Sequence, residues 1–183
     1  MVNEARLEEL DSGLAPVTDG WFVVNVRDAA WETNDHFGAM CAFEGESAPF
    51  ADLGINLRVL LPGGKGLYHA ESTQEDFLVL AGQCLLLVEG EERPLTAWDF
   101  VHCPPGTAHA FIANTDAPCI IVMAGAPRSF AGTIVYPRSE AAVRHGVGVE
   151  TETRSPREAQ SQLGIPAWRY RRPDEWHALP WAS

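Results

Sequence analysis

The sequence predicts an all-β domain, an antiparallel sandwich or barrel. Three observations carry that prediction. Short apolar runs follow one another at residues 21–26, 55–61, 77–80, 84–88, 98–103, 108–112 and 119–123. Turn-forming breakers separate most of them: Pro62-Gly63-Gly64, Ala81-Gly82, Gly90-Glu91, Pro104-Pro105-Gly106 and Asn114-Thr115-Asp116. Gly and Pro recur too often for a long helix. Strand-forming runs spaced by roughly 8–12 residues, with turn chemistry between them, make such folds.

The two ends read differently. Residues 3–10 are expected to form a short helix stopped by Asp11-Ser12-Gly13. Residues 138–145 predict a second short helix, with Gly146 as its stop. Ser155-Pro156-Arg157-Glu158 is a helix start: serine caps, proline fits the first turn, and glutamate three residues on reaches back. That helix should run to about Leu163, before Gly164 and Pro166. Trp168, Trp176 and Trp181 are costly to leave in water, so the tail should dock on the barrel or on a second subunit. The expected organisation is an extension at 1–19, a β-barrel at 20–136, and a helical or irregular extension at 137–183 packed on the barrel.

Composition narrows the function. With 183 residues the chain can bury a proper core, and 46% apolar with 21% charged residues excludes disorder. A formal net charge of −12 opposes nucleic acid and anionic membranes as partners. No apolar run nears the roughly 20 residues that span a bilayer. Residues 1–10 carry Glu4, Glu8 and Glu9 where a signal peptide needs cations and an apolar stretch, so a cytoplasmic location is expected. The cysteines at 41, 84, 103 and 119 form no CxxC pair and read as small buried apolar residues.

Two segments carry chemistry. In the first, His69 and Glu71 are two residues apart, so on a strand they project together. A turn at 72–74 brings the chain back to Glu75, which shares a face with Phe77 and Val79. A carboxylate on such an interior face must be paired or bound to a cation. In the second, Pro104-Pro105-Gly106 makes a turn and His109 opens the next strand, with Phe111 on its face. Two imidazoles and a carboxylate are thereby expected to converge inside the sheet. Tyr68, Phe77, Trp98 and Phe111 are the candidate pocket walls. His102 reads as a structural group. Glu89, Glu91 and Glu92 read as a solvated hairpin tip, and His36, His145 and His177 as surface residues. Arg169, Arg171 and Arg172 read as surface or ion-paired groups.

These two segments resemble the paired motifs of the cupin superfamily. Its first motif runs Gly, five residues, His-x-His, three or four residues, Glu, six residues, Gly; Gly63, His69, Glu75 and Gly82 stand at those places. Its second runs Gly, five residues, Pro-x-Gly, two residues, His, three residues, Asn; Pro104, Gly106 and His109 match. The likeness covers residues 63–114. Three positions depart: Glu71 replaces the second His, Trp98 replaces the leading Gly, and Asn114 comes one residue late.

The resemblance implies a jelly-roll barrel, a double-stranded β-helix, with short peripheral helices that are mainly C-terminal. It implies a divalent metal ion held by His69, Glu71, Glu75 and His109. Imidazole and carboxylate donors suit Fe, Mn, Ni, Co or Zn. Alternatively His69, Glu75 and His109 form a facial set and Glu71 is free to act as a base. The family includes dioxygenases, isomerases, cyclases and proteins that only bind small ligands. The expected function is a metal-dependent enzyme on a small organic molecule, of dioxygenase, isomerase or cyclase type. The alternative is a non-catalytic ligand-binding or sensing module; the metal set argues against a storage role. Open sheet edges need cover, so a homodimer is expected, with residues 21–27 crossing to the partner.

Overall fold

Alternation of buried and exposed residues along the central strands builds two facing antiparallel sheets. The computed structural model describes residues 1–127, 132–174 and 176–181. In chain order the strands are β1 (Leu7–Leu10), β2 (Gly13–Pro16), β3 (Glu32–Asn34), β4 (Gly38–Ala42), β5 (Gly54–Leu60), β6 (Ala70–Glu71), β7 (Glu75–Ala81), β8 (Gln83–Val88), β9 (Glu91–Thr96), β10 (Phe100–Cys103), β11 (His109–Ile112), β12 (Cys119–Gly125) and β13 (Ile134–Val135). Helices α1 (Glu140–Arg144) and α2 (Pro156–Gln162) and a 3-10 turn at Trp176–Ala178 follow. The larger sheet runs β10-β7-β12-β5-β4-β3 and the smaller β11-β8-β9; β1 pairs β2 and β13 pairs β6. The fold is all-β.

The core lies between the two sheets. Leu60, Phe77, Val79, Cys119 and Ile121 come from the larger sheet and Cys84, Leu86, Leu95 and Phe111 from the smaller. Each such aliphatic or aromatic side chain removed from water contributes about 1.5–3 kcal/mol. The alternate residues Leu57, Val59 and Ile120 face outward, into a second cluster with Trp31. That cluster is closed by the tail: Trp31 lies 5.4 Å from the Trp176 ring and stacks on Trp181 at 5.2 Å. The tail therefore docks on its own barrel. Trp168 stacks on Phe37 at 5.3 Å, and Arg169 exchanges backbone hydrogen bonds with Thr33 at the β3 edge. The arginines of the tail are occupied: Arg169 pairs with Asp35, Arg171 with Asp174, and Arg172 lies over Trp176. All four cysteines are buried.

Gly82 is required where it stands. After the β-bulge that shifts the β12–β7 register at Ile120/Ile121, the chain reverses with φ +78 at Gly82. A Cβ there would sit 2.3 Å from the Pro118 carbonyl oxygen. Only glycine accepts both the positive φ and the approach.

Several expectations need correction. Residues 3–10 are not helical but enter the β1–β2 hairpin. Their helical propensity yields to pairing: Leu14 N–H donates to Asp28 O, and Ala30 N–H donates back to Leu14 O. At Gly13 the chain runs so close to Ala29 that a Cβ would lie 2.2 Å from its carbonyl oxygen. Residues 21–26 form no strand; Val24 and Val26 lie across the outer apolar cluster as cover. The acidic segment does form a hairpin tip, at Glu89-Gly90 between β8 and β9, and β9 beyond it is an exposed edge strand whose residues are nearly all solvent-facing. The two C-terminal helices start on Ser139 and Ser155 caps. At the second, Glu158 reaches back through Thr153, whose hydroxyl donates to Glu158 Oε2 and accepts from Ser155 N–H. No described helix is long and apolar enough to cross a membrane.

Candidate metal centre

His69 and His109 come together as a cross-strand pair. Each backbone N–H donates to the other's carbonyl, at 3.1 and 2.9 Å, so the two residues face each other across an antiparallel bridge. Directly opposed residues of this kind stand close, and here the ring centroids are 4.9 Å apart. Glu75, at the start of β7, supplies the third group: its Oε2 lies 3.7 Å from His109 Nε2. One ligand atom from each of His69, Glu75 and His109 lies within 4.8 Å of the others. An ion with bonds of about 2.1 Å sets its ligands roughly 3–4 Å apart, so small side-chain rotations close the set. Glu71 stands beside this trio rather than in it, with Oε1 3.9 Å from His69 Nε2.

Both rings are oriented as metal ligands would need to be. His69 Nδ1 donates to Leu67 O at 2.7 Å and His109 Nδ1 donates to Thr107 O at 3.1 Å. A carbonyl only accepts, so each neutral ring carries its proton on Nδ1 and leaves the Nε2 lone pair toward the carboxylates. Burial keeps them neutral. It is the largest cause pulling His109, only 2% exposed, down to about 4, with the nearby His69 adding to it. Burial, and then the charge of Arg58, lower His69. Glu75 moves the opposite way: burial, and then repulsion from Glu71, push it up to about 8. A carboxyl held protonated this way lacks a cation. The donors thus fit a divalent metal ion: two neutral imidazoles and a carboxylate whose ionised form needs positive charge.

The walls are partly those the sequence indicates. Phe77 lies 5.1 Å and Phe111 6.1 Å from the His109 ring. Two candidates need correction. Tyr68 neighbours His69 in sequence, so it points to the opposite side, where it packs with Ala110, Ala141 and Val147. Trp98 is 74% exposed on the turn between β9 and β10, at φ +76, outside the barrel. The sequence reading missed Tyr136, whose ring lies 6.0 Å from that of His69. Burial, and then Glu71, raise its hydroxyl to about 12. No local pattern marks it, because a peripheral bridge to Thr153 brings it there. His102 faces outward and donates to Asp76 across the β10–β7 pair at 2.7 Å, which lowers the aspartate. His145 bonds Glu92 at 2.8 Å. His36 is more enclosed than expected, its Nε2 buried without a partner.

The fold has counterparts among known proteins. Residues 56–125 match the family described as cupin domain. A sugar phosphate isomerase from a cupin superfamily of Silicibacter pomeroyi superposes with a TM-score of 0.56 at 22% identity, over 64% of this chain and 83% of that one. A cupin 2 conserved barrel domain protein from Salinispora arenicola gives 0.43 at 23% identity, over 47% and 72%. A salicylate 1,2-dioxygenase from Pseudaminobacter salicylatoxidans gives 0.39 at 19% identity, over 40% and 22%. No curated protein sequence matches. In its two facing antiparallel sheets, its paired motifs and the matched segment, residues 56–125 of this chain are similar to a cupin domain.

Proposed function

We propose that the protein is a metal-dependent cupin enzyme that transforms a small organic molecule inside the barrel, by isomerase, cyclase or dioxygenase chemistry. The observation that carries this is the convergence of His69, Glu75 and His109 on one point, with both Nε2 atoms unprotonated. When bound, a divalent ion supplies Lewis acidity toward a substrate oxygen, and a redox-active one supplies electrons. The chain's own groups do the rest. Phe77 and Phe111 keep the inner end apolar and dry. Glu71, half-buried at the side of the trio, is placed to move a proton as base, or to enter the shell as a fourth ligand. In this reading residues 20–136 are the working barrel, and 1–19 and 137–183 are its extensions.

Protein purified without chelator or metal-affinity resin should carry close to one Fe, Mn, Ni, Co or Zn per chain by elemental analysis. Loaded protein should then turn over a member of a small-molecule panel. Thermal stabilisation by a panel member without product would instead favour a binding or sensing module. Absence of any bound or acquired metal would end the reading.

Affinity for the ion should depend on pH. Burial lowers both imidazoles, His109 to about 4, whereas it holds the proton on the Glu75 carboxyl until about 8. Protons therefore compete with the ion at Glu75, and affinity weakens as pH falls. Between pH 8 and pH 6 the apparent affinity for Zn(II) should drop roughly 50-fold, near one proton released per ion. A chromogenic chelator competition measures it; a flat profile would remove Glu75 from the ligand set.

The same reading includes a homodimer with residues 21–27 at the contact. Val24 and Val26 pack on their own barrel, while Trp21 and Val23 stand 53% and 84% exposed. Sedimentation at micromolar concentration should give twice the chain mass, and Trp21→Glu should return the monomer. A monomer in the unaltered protein would refute the dimer.

A further inference from the structure

Arg58 lies on β5 between Leu57 and Val59. Those neighbours face the outer cluster around Trp31, so alternation turns Arg58 inward, in register with the core residue Ile121 of β12. An arginine in that position ordinarily answers a carboxylate. Here Nε and Nη2 donate instead to the Phe37 carbonyl, at 3.3 and 3.1 Å, and the guanidinium lies 5.4 Å above the Phe37 ring. Among the described residues no carboxylate forms an ion pair with it. The titratable groups that feel its charge are His36, lowered by burial, then Lys65, then Arg58, and His69, lowered chiefly by burial with Arg58 adding to it. Burial pulls Arg58 itself down to about 10, which leaves it charged at neutral pH.

Arg58 also stands next to the candidate centre. Phe37 packs in one cluster with Leu67 and Tyr136. The Leu67 carbonyl accepts the His69 Nδ1 proton, and the Tyr136 ring lies 6.0 Å from the His69 ring. The guanidinium, on Phe37, and the His69 ring, beside Leu67 and Tyr136, thus both border this one cluster. An enclosed cation without a counter-charge is costly, and a fork of N–H groups is the protein group best shaped for two oxygens of one anion.

We propose that Arg58 anchors an anionic group, a carboxylate or a phosphate, on the small molecule that enters the barrel, and so fixes its reactive end against the His69–His109 pair. This rests on the barrel interior being the ligand site, as proposed above, and names the substrate as an organic acid or phosphate ester. The overall charge of −12 makes that local positive site selective: an anion is repelled elsewhere on the surface and held only there.

The test uses three probes on metal-free and on Zn(II)-loaded protein by calorimetry: benzoate, inorganic phosphate, and neutral benzamide. One of the two anions should bind the unaltered protein, which separates carboxylate from phosphate as the preferred group. Arg58→Gln should weaken that anion by about tenfold or more, Arg58→Lys by less, and neither should change benzamide. In the unaltered protein the bound anion should also slow phenylglyoxal labelling of Arg58, read by mass spectrometry, which keeps the test decisive if a variant misfolds. Anion binding that ignores Arg58, failure of both anions to bind, or unprotected labelling would overturn the proposal. The metal reading is scored separately, by metal content of the same samples: Arg58-dependent anion binding without metal uptake would sink that reading alone.

Discussion

His109→Ala should empty the metal centre while leaving the barrel folded. His109 is the most enclosed of the three candidate ligands and is tied to His69 through both backbone groups, which alanine keeps. The variant loses one Nε2 donor and the ring that packs on Phe77, yet keeps the strand pairing. Affinity for a divalent ion should fall by more than about 100-fold. Removing the imidazole also removes a polar group held neutral by burial, so the metal-free variant should stay within about 1–2 kcal/mol of the metal-free parent. Elemental analysis with circular dichroism on the same sample checks both halves. A folded variant with undiminished metal content would refute the site.

Trp31→Ala should be the most damaging single core change for stability. Trp31 is fully buried, donates its indole N–H to Val26 O at 3.1 Å, and holds Trp176 and Trp181 against the larger sheet. Truncation leaves a large cavity and frees two aromatic partners, a loss of about 3–5 kcal/mol. Chemical denaturation should show that loss, together with a red shift of tryptophan emission and faster cleavage of the tail by protease. The contrasting change is Trp98→Ala: an exposed tryptophan should cost no more than about 0.5 kcal/mol. A Trp31→Ala loss no larger than the Trp98→Ala one would mean the tail is not held as described.

What the sequence revealed and what it hid follow one rule: local periodicity is legible, and three-dimensional crossing is not. Glu75, Phe77 and Val79 could be placed on an inner face because strands alternate, and His109 with Phe111 likewise. The same alternation, applied one residue further, turns Tyr68 away from the site, whereas the turn that carries Trp98 outward has no simple period. β9 was illegible because its exposed side chains and Pro94 carry no apolar pattern, and only pairing with β8 makes it a strand. The β1–β2 hairpin overrides helical propensity through hydrogen bonds to Asp28 and Ala30, a dozen or more residues away. Tyr136 reaches His69 by a path no short window contains. Arg58 did leave a trace, a lone cation between Leu57 and Val59 in an apolar strand.

The way the tail closes over Trp31 sets an order of events during synthesis. Strands up to β12 can pair as soon as they emerge, but the outer surface formed by Leu57, Val59 and Ile120 gains Trp176 and Leu179 only after residues 176–179 have left the ribosome. Until then the nascent chain displays an oily sheet only partly covered by residues 24–31 to its neighbours on the polysome, the kind of surface that chaperones bind.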